Sequence, residues 1–192
     1  MTTNTPSALR GNEDLLAHIA QGHRVDYVFF WGHQVPENGS VGKSCFSQWY
    51  EVPFAVEGVT YRTAEHFMMA GKARLFGDAA TCEKIIAART PGEAKKLGRQ
   101  IGNFDEAAWL EARFDLVTRG NIAKFAQNAA LGAFLLGTGD QVLVEASPVD
   151  AVWGIGLAAT DAAAQDPRSW RGLNLLGYAL MAARDALSQT TP

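Results

Sequence analysis

Short apolar runs separated by polar, glycine-rich stretches organise this chain, and their spacing predicts its elements. Residues 13–21 (EDLLAHIAQ) read as a helix ended by Gly22. Residues 25–31 (VDYVFFW) are β-branched and aromatic and read as a buried strand. Glycines and a proline among polar residues make 32–44 a loop. Its Gly39, Gly42 and Lys43 suit either a phosphate contact or a plain surface loop. Residues 54–61 (FAVEGVTY) read as a β-hairpin turning at Glu57-Gly58.

Helix signals follow. Thr63 is a good N-cap for a helix from Ala64 to about Leu75, with Gly77 beyond its end. Thr90-Pro-Gly-Glu93 is a capping box with proline at the first helical position, and it opens a helix through about Arg99. Asp105 caps a helix from Glu106 to about Gln127, with an apolar stripe through Trp109, Ala112, Leu116, Ala123 and Ala126. Residues 129–136 (AALGAFLL) form a short helix, 141–146 (QVLVEA) a strand and 173–188 the last helix. Helices outnumber strands and no βαβ unit repeats, so the expected fold is α+β and helix-dominated. The expected organisation is a flexible tail over 1–12, one domain over 13–188 and a short tail over 189–192.

Composition narrows the chemistry. At 192 residues and 47% hydrophobic, the chain suits one core. A net charge of -3 argues against a nucleic-acid surface, which needs clustered Lys and Arg. A small phosphorylated ligand stays compatible, because a few cations in one pocket suffice. Arg62, Lys95, Lys96, Arg99, Lys124, Arg171 and Arg184 are the candidates. Two cysteines are too few for a disulfide framework. No apolar run approaches the ~20 residues of a membrane span, and the polar N-terminus lacks a signal-peptide pattern. A cytoplasmic location with no membrane partner follows. There is no GxGxxG, P-loop or GxSxG. The four histidines lack metal-ligand spacing. Neither a metal nor a cofactor is expected.

Glu65 falls in the first turn of its helix, where the dipole favours an anion. Lys72 lies two turns later on the same face, roughly 10 Å along the axis. The two either line one pocket or simply complement the helix ends. His66 points about 100° away. Asp150 and Trp153 lie in the turn-rich stretch SPVDAVWGIG after the strand that carries Glu145. A carboxylate beside an exposed indole suits a sugar or base site; an Asx-type turn with a core tryptophan is the alternative. Asn174 interrupts an apolar helix and shares a face with Gly177, Tyr178 and Met181. It either bonds a ligand or marks close helix packing at Gly177.

Taken in order, the segments VFFWG, CFSQWYEVPFAVEGVTYRTAEHFMMAGKARLFGD, TPGEAKKLGR, AKFAQNAALGAFLLGTGDQVLVEASPVDAVWGIGL and WRGLNLLGYALMAAR resemble the NADAR superfamily, with its YbiA-like N-glycosidases. The resemblance covers most of residues 27–187. Its specific features are the Glu-His pair ahead of a lysine, D-x-x-W-G-x-G and W-x-G-x-N-x-L-G. It implies a mostly helical α+β domain and cleavage of N-glycosidic bonds in phosphorylated ribosylamino-pyrimidine intermediates of riboflavin synthesis, with release of ribose 5-phosphate. Other members resemble enzymes that remove ADP-ribose from guanine, so ADP-ribosylated guanine in nucleic acid is a second implied substrate. A non-catalytic ADP-ribose-binding module is a third reading. The family's acidic residue and lysine fall on Glu65 and Lys72, its Asp-Trp pair on Asp150 and Trp153, and its asparagine on Asn174. Gln48 in Phe46-Ser47-Gln48-Trp49 replaces a usual asparagine, keeping the amide on a longer arm.

N-glycoside hydrolysis passes through a cationic, oxocarbenium-like sugar, for which two carboxyl groups are natural tools. The resemblance therefore implies that Glu65 handles water or the cation, with Asp150 as the second carboxyl group. It implies that Trp153 stacks on the ligand, Asn174 hydrogen-bonds it, and Lys72 binds phosphate or holds Glu65 ionised.

Overall fold

Helices dominate the computed structural model, which describes residues 9–189. In chain order the elements are α1 (Asn12–Ala20), β1 (Tyr27–Phe30), β2 (Phe54–Val56), β3 (Val59–Tyr61), α2 (Ala64–Leu75), α3 (Ala79–Ala87), α4 (Pro91–Gly98), α5 (Glu106–Gln127), α6 (Ala129–Leu136), β4 (Val142–Glu145) and α7 (Leu175–Ser188). Short 3₁₀ turns cover Lys43–Phe46, Ala162–Gln165 and Pro167–Ser169. The expected helix-dominated α+β class is the one observed. The chain divides into two compact units. One is built from Gln48–Ala129, the other from the described parts of Met1–Ser47 and Ala130–Pro192.

In the Gln48–Ala129 unit, β2 and β3 pair antiparallel with Phe54 opposite Tyr61. The two-residue turn holds Glu57 and Gly58 both at positive φ, the geometry that matches strand twist in a tight hairpin. Gln127 clamps the hairpin to α5: its Nε2 donates to the Ala55 carbonyl at 2.8 Å and its Oε1 accepts from the Ala55 N–H at 2.8 Å. Helix α2 packs on α3, α4 and α5, and eight of its residues are buried, which makes it the core of this unit. Its approach to α5 is close: a Cβ on Gly120 would lie 2.6 Å from Phe67 Cδ1. The Thr63, Thr90 and Asp105 side chains cap their helices as expected. Glu93 departs slightly from a standard capping box, accepting from the Arg89 N–H, one residue before the cap.

Two features of this unit differ from the sequence reading. Helix α3 was not anticipated, because its buried set is only Cys82 and Ile85 over two turns. The buried face of α5 is Val117, Gly120, Asn121, Lys124 and Phe125, one position round from the expected stripe. Apolar periodicity gives no credit to a buried asparagine and lysine.

In the other unit, β1 and β4 pair in parallel, Tyr27 opposite Val142 and Phe30 opposite Glu145. Parallel strands cannot be joined by a hairpin. Here the connection runs through residues 31–141. Helix α7 packs on β4, and a Cβ on Gly177 would lie 2.1 Å from the Leu143 carbonyl oxygen. Only glycine permits that contact, so Gly177 marks helix-on-strand packing. The last residues of the expected tail over 1–12 make contacts within this unit. Leu9 is buried, the Arg10 N–H bonds Asp14, and Asn12 both donates to the Gly172 carbonyl and accepts from the Tyr178 hydroxyl. The rest of that expected tail, over residues 1–8, and residues 190–192 of the C-terminal one lie outside the described residues. No helix of the described residues is long and apolar enough to cross a membrane.

Candidate active site

The predicted residues fall into two groups. Gln48, Glu65 and Lys72 belong to the Gln48–Ala129 unit; Asp150, Trp153 and Asn174 belong to the other.

The first group centres on the start of α2. Glu65 is in its first turn and is only 3% exposed. Its N–H donates to the Gln48 carbonyl at 2.9 Å, so the Gln48 backbone sets where the carboxylate begins. His66 is wholly buried and its ring is tied at both nitrogens: Nδ1 lies 2.8 Å from Thr63 Oγ1, and Nε2 3.2 Å from the Ala88 carbonyl. A carbonyl only accepts, so Nε2 carries the proton and the neutral ring has the Nε2–H tautomer. Burial holds this imidazole below its ordinary value, with the Ala88 carbonyl opposing in part. His66 therefore pins the α2 start beside Glu65, a structural task.

The Gln48 side chain points to α5. Its Oε1 accepts from Asn121 Nδ2 at 3.2 Å, and Nδ2 also donates to the Val117 carbonyl at 2.9 Å. One turn beyond Asn121 sits Lys124, 0% exposed, with its ammonium 5.7 Å from the Tyr50 ring centroid and 5.1 Å from that of Phe125. Removing a lysine and a carboxylate from water is costly without compensating partners. Gln48, Glu65, Asn121 and Lys124 are thus buried polar residues in a unit whose other core residues are mostly apolar, and Gln48 bonds both Asn121 and the Glu65 N–H. Asn121 escaped the sequence reading, and Lys124 was only one of seven scattered cations. The available signal was their i, i+3 spacing on the long α5 helix, together with the small Gly120 beside them.

Lys72, expected to bind phosphate or to hold Glu65 ionised, reaches the end of α4. Its Nζ donates to the Gly98 carbonyl at the end of α4 at 3.2 Å. It lies 4.3 Å from the Phe104 ring centroid and 5.4 Å from that of Trp109. Partial burial holds its ammonium below the usual lysine range. The lysine complements the negative end of α4 and rests on aromatic faces, two turns away from Glu65.

In the second group, two motifs build one interlocked loop. Asp150 Oδ1 accepts from the N–H groups of Val152 at 2.9 Å and Trp153 at 2.8 Å. This is the Asx-turn geometry left open above, while Trp153 is half-buried rather than in the core. The Trp153 carbonyl accepts from the Leu176 N–H and the Gly154 carbonyl from that of Asn174, so this loop caps the start of α7. The Ile155 N–H returns to the Glu145 carbonyl at the end of β4.

Asn174, expected either to bond a ligand or to mark close packing at Gly177, is engaged within the fold. It is 0% exposed, precedes α7 in the left-handed region (φ 52°), accepts from the Glu145 N–H at 2.9 Å and donates to the Leu143 carbonyl at 2.9 Å. Both ends of its amide hold the edge of β4. Arg184, one of the candidate phosphate cations, is likewise structural. Its Nη1 donates to Thr138 Oγ1 and the Gln141 carbonyl. Among the described residues no three His, Cys, Asp or Glu side chains are grouped to hold a metal. A cavity of about 720 Å³ beside α1, lined partly by Leu16, Ile19, Tyr27 and Pro167, contains none of the predicted residues.

Comparison with known proteins bears on this arrangement. The model of the NADAR domain matches residues 29–188. The chain belongs to the NADAR family. N-glycosidase R617 of Acanthamoeba polyphaga mimivirus is 43% identical to this NADAR protein over 168 residues, which are 85% of this chain and 97% of the relative. A riboflavin biosynthesis protein of Vibrio vulnificus is 30% identical over 146 residues, 76% of this chain but 36% of that longer protein. The NMR structure of Escherichia coli YbiA aligns with a TM-score of 0.68 and 29% identity, covering 87% of this chain and 88% of YbiA. The NADAR assignment thus rests on sequence and fold together.

Proposed function

We infer that this chain, an N-glycosidase of the NADAR family, hydrolyses the bond between ribose 5-phosphate and the base of phosphorylated ribosylamino-pyrimidines, intermediates of riboflavin synthesis. The observation that carries the chemistry is the buried Glu65 side chain in the first turn of α2, whose N–H bonds the Gln48 carbonyl while the Gln48 side chain bonds Asn121. A deeply placed anion in preorganised dipoles suits the cationic sugar of this reaction. The relative named a riboflavin biosynthesis protein supports the substrate.

In the proposed mechanism the C1′–N bond breaks, water adds at C1′ and the base nitrogen ends with one of the water's protons. Glu65 accepts the one proton that the attacking water releases, stabilises the positive charge on C1′, and gives that proton up for the base nitrogen. Asp150, whose Oδ1 accepts from two backbone N–H groups, is the second carboxyl group. Trp153 offers its half-buried indole to the ligand. Gln48 presents an amide that Asn121 orients, and Lys124 supplies the positive charge that sequence reasoning gave to Lys72.

The test is chromatographic: purified protein is incubated with ribosylamino-pyrimidine phosphates and release of ribose 5-phosphate is followed. Glu65→Gln keeps the backbone bond to Gln48 and should lower turnover on the order of 10²–10⁴-fold. Near-wild-type turnover by folded Glu65→Gln would overturn the mechanism. No ribose 5-phosphate from wild-type protein, with ADP-ribose released from modified guanine, would overturn the substrate.

A further inference from the structure

We propose that Trp31 is the surface on which the flat leaving base stacks. The inference rests on the N-glycosidase reading above and adds a specificity-determining residue to it. The buried strand expected over residues 25–31 ends one residue early, at Phe30, and Trp31 stands 60% exposed. Indole is seldom left this open to water without a use, since it is largely apolar and highly buried on average.

Its position is also specific. Trp31 directly follows β1 at the C-terminal edge of the parallel pair, the edge at which ligands of parallel sheets bind. The Phe30 carbonyl accepts from the Ala146 N–H at 2.9 Å, so pairing with the other strand continues to the residue before Trp31. Gly32 at φ 82° then turns the chain. The backbone under the indole is therefore held on one side and bent away on the other. An aromatic with few rotatable bonds on a held backbone loses little freedom on binding, which favours its use as a platform. The Asp150–Gly156 loop reaches the same edge, where the Ile155 N–H bonds the Glu145 carbonyl. Trp31 and the candidate Asp150 and Trp153 thus flank one strand edge of one unit.

An indole face recognises the π-face of a base and tolerates its substituents. It selects flat heteroaromatic leaving groups over sugar or aliphatic ones. Stacking on the base acts on binding more than on the chemical step, so KM should move more than kcat.

Two variants of the full-length protein test this, Trp31→Ala and Trp31→Phe, each checked for folding by circular dichroism. Because Trp31 is mostly exposed, neither should unfold. Binding of guanosine 5′-monophosphate, a stable ligand with base, ribose and phosphate, is measured by equilibrium dialysis. Turnover of ribosylamino-pyrimidine phosphate is measured in parallel. Trp31→Ala should weaken nucleotide binding and raise KM by about 5- to 150-fold, with kcat changed less, and Trp31→Phe should restore most of both. Unchanged binding and KM in Trp31→Ala, with normal turnover, would overturn the stacking role and leave the N-glycosidase reading intact. Were wild-type turnover of this substrate absent, the substrate reading would fail, and the dialysis arm would still decide. Loss of nucleotide binding in Trp31→Ala supports the platform; equal binding, or none by wild-type protein, overturns it.

Discussion

Replacing Asn174 should damage the fold before it damages substrate binding. Its amide accepts from the Glu145 N–H and donates to the Leu143 carbonyl, both at 2.9 Å, and the residue is 0% exposed. Asn174→Ala leaves two buried backbone groups without their partners, at about 1–3 kcal/mol each. Alanine must also adopt φ 52°, where a Cβ is penalised by roughly 1–2 kcal/mol and asparagine is better tolerated. The expected loss is about 3–8 kcal/mol, a large part of the ~5–15 kcal/mol by which domains are stable. Asn174→Gly removes the same hydrogen bonds but relieves the backbone strain, so it should lie about 1–2 kcal/mol above Asn174→Ala. Urea unfolding followed by circular dichroism measures both variants, with KM determined on whatever remains folded. If Asn174→Ala had wild-type stability and a raised KM, the structural assignment would be wrong and the asparagine would be a ligand contact after all.

Two further outcomes separate the lysines and test the buried histidine. Lys72→Met should cost about 1–2 kcal/mol of stability through the lost Gly98 carbonyl bond and aromatic contacts, with turnover within about threefold of wild type. Lys124→Met should instead lower turnover on the order of 10²–10³-fold; steady-state kinetics that reversed this order would return the site cation to Lys72. Burial lowers the His66 value in the folded protein, so below about pH 6.5 the unfolded chain takes up its proton first. Stability is therefore full above that pH and falls as pH drops toward the folded value. Urea midpoints at pH 7.5 and 5.5 should differ less in His66→Gln than in wild type, and equal differences would remove His66 from the pH dependence.

The sequence by itself determined what depends on neighbours along the chain. Thr63, Thr90 and Asp105 satisfy the first N–H groups of their own helices, and Glu57-Gly58 sets its own hairpin turn. Such bonds span a few residues, so spacing reveals them. The placement of Glu65 in the first turn of α2 was legible for the same reason. Tertiary structure decided the roles that depend on distant partners. Gln48 meets Asn121 across 73 residues, and Asn174 reaches Leu143 and Glu145 from 31 and 29 residues away. An asparagine in an apolar helix carries the same letter whether it faces a ligand or the end of a strand. Lys72 and Lys124 look alike in a charge count, yet one lies against the end of α4 and the other is sealed inside its unit. Charge and amide chemistry are local properties, but burial and partner choice are set by which elements pack together. Those decide whether a polar side chain serves the fold or the reaction.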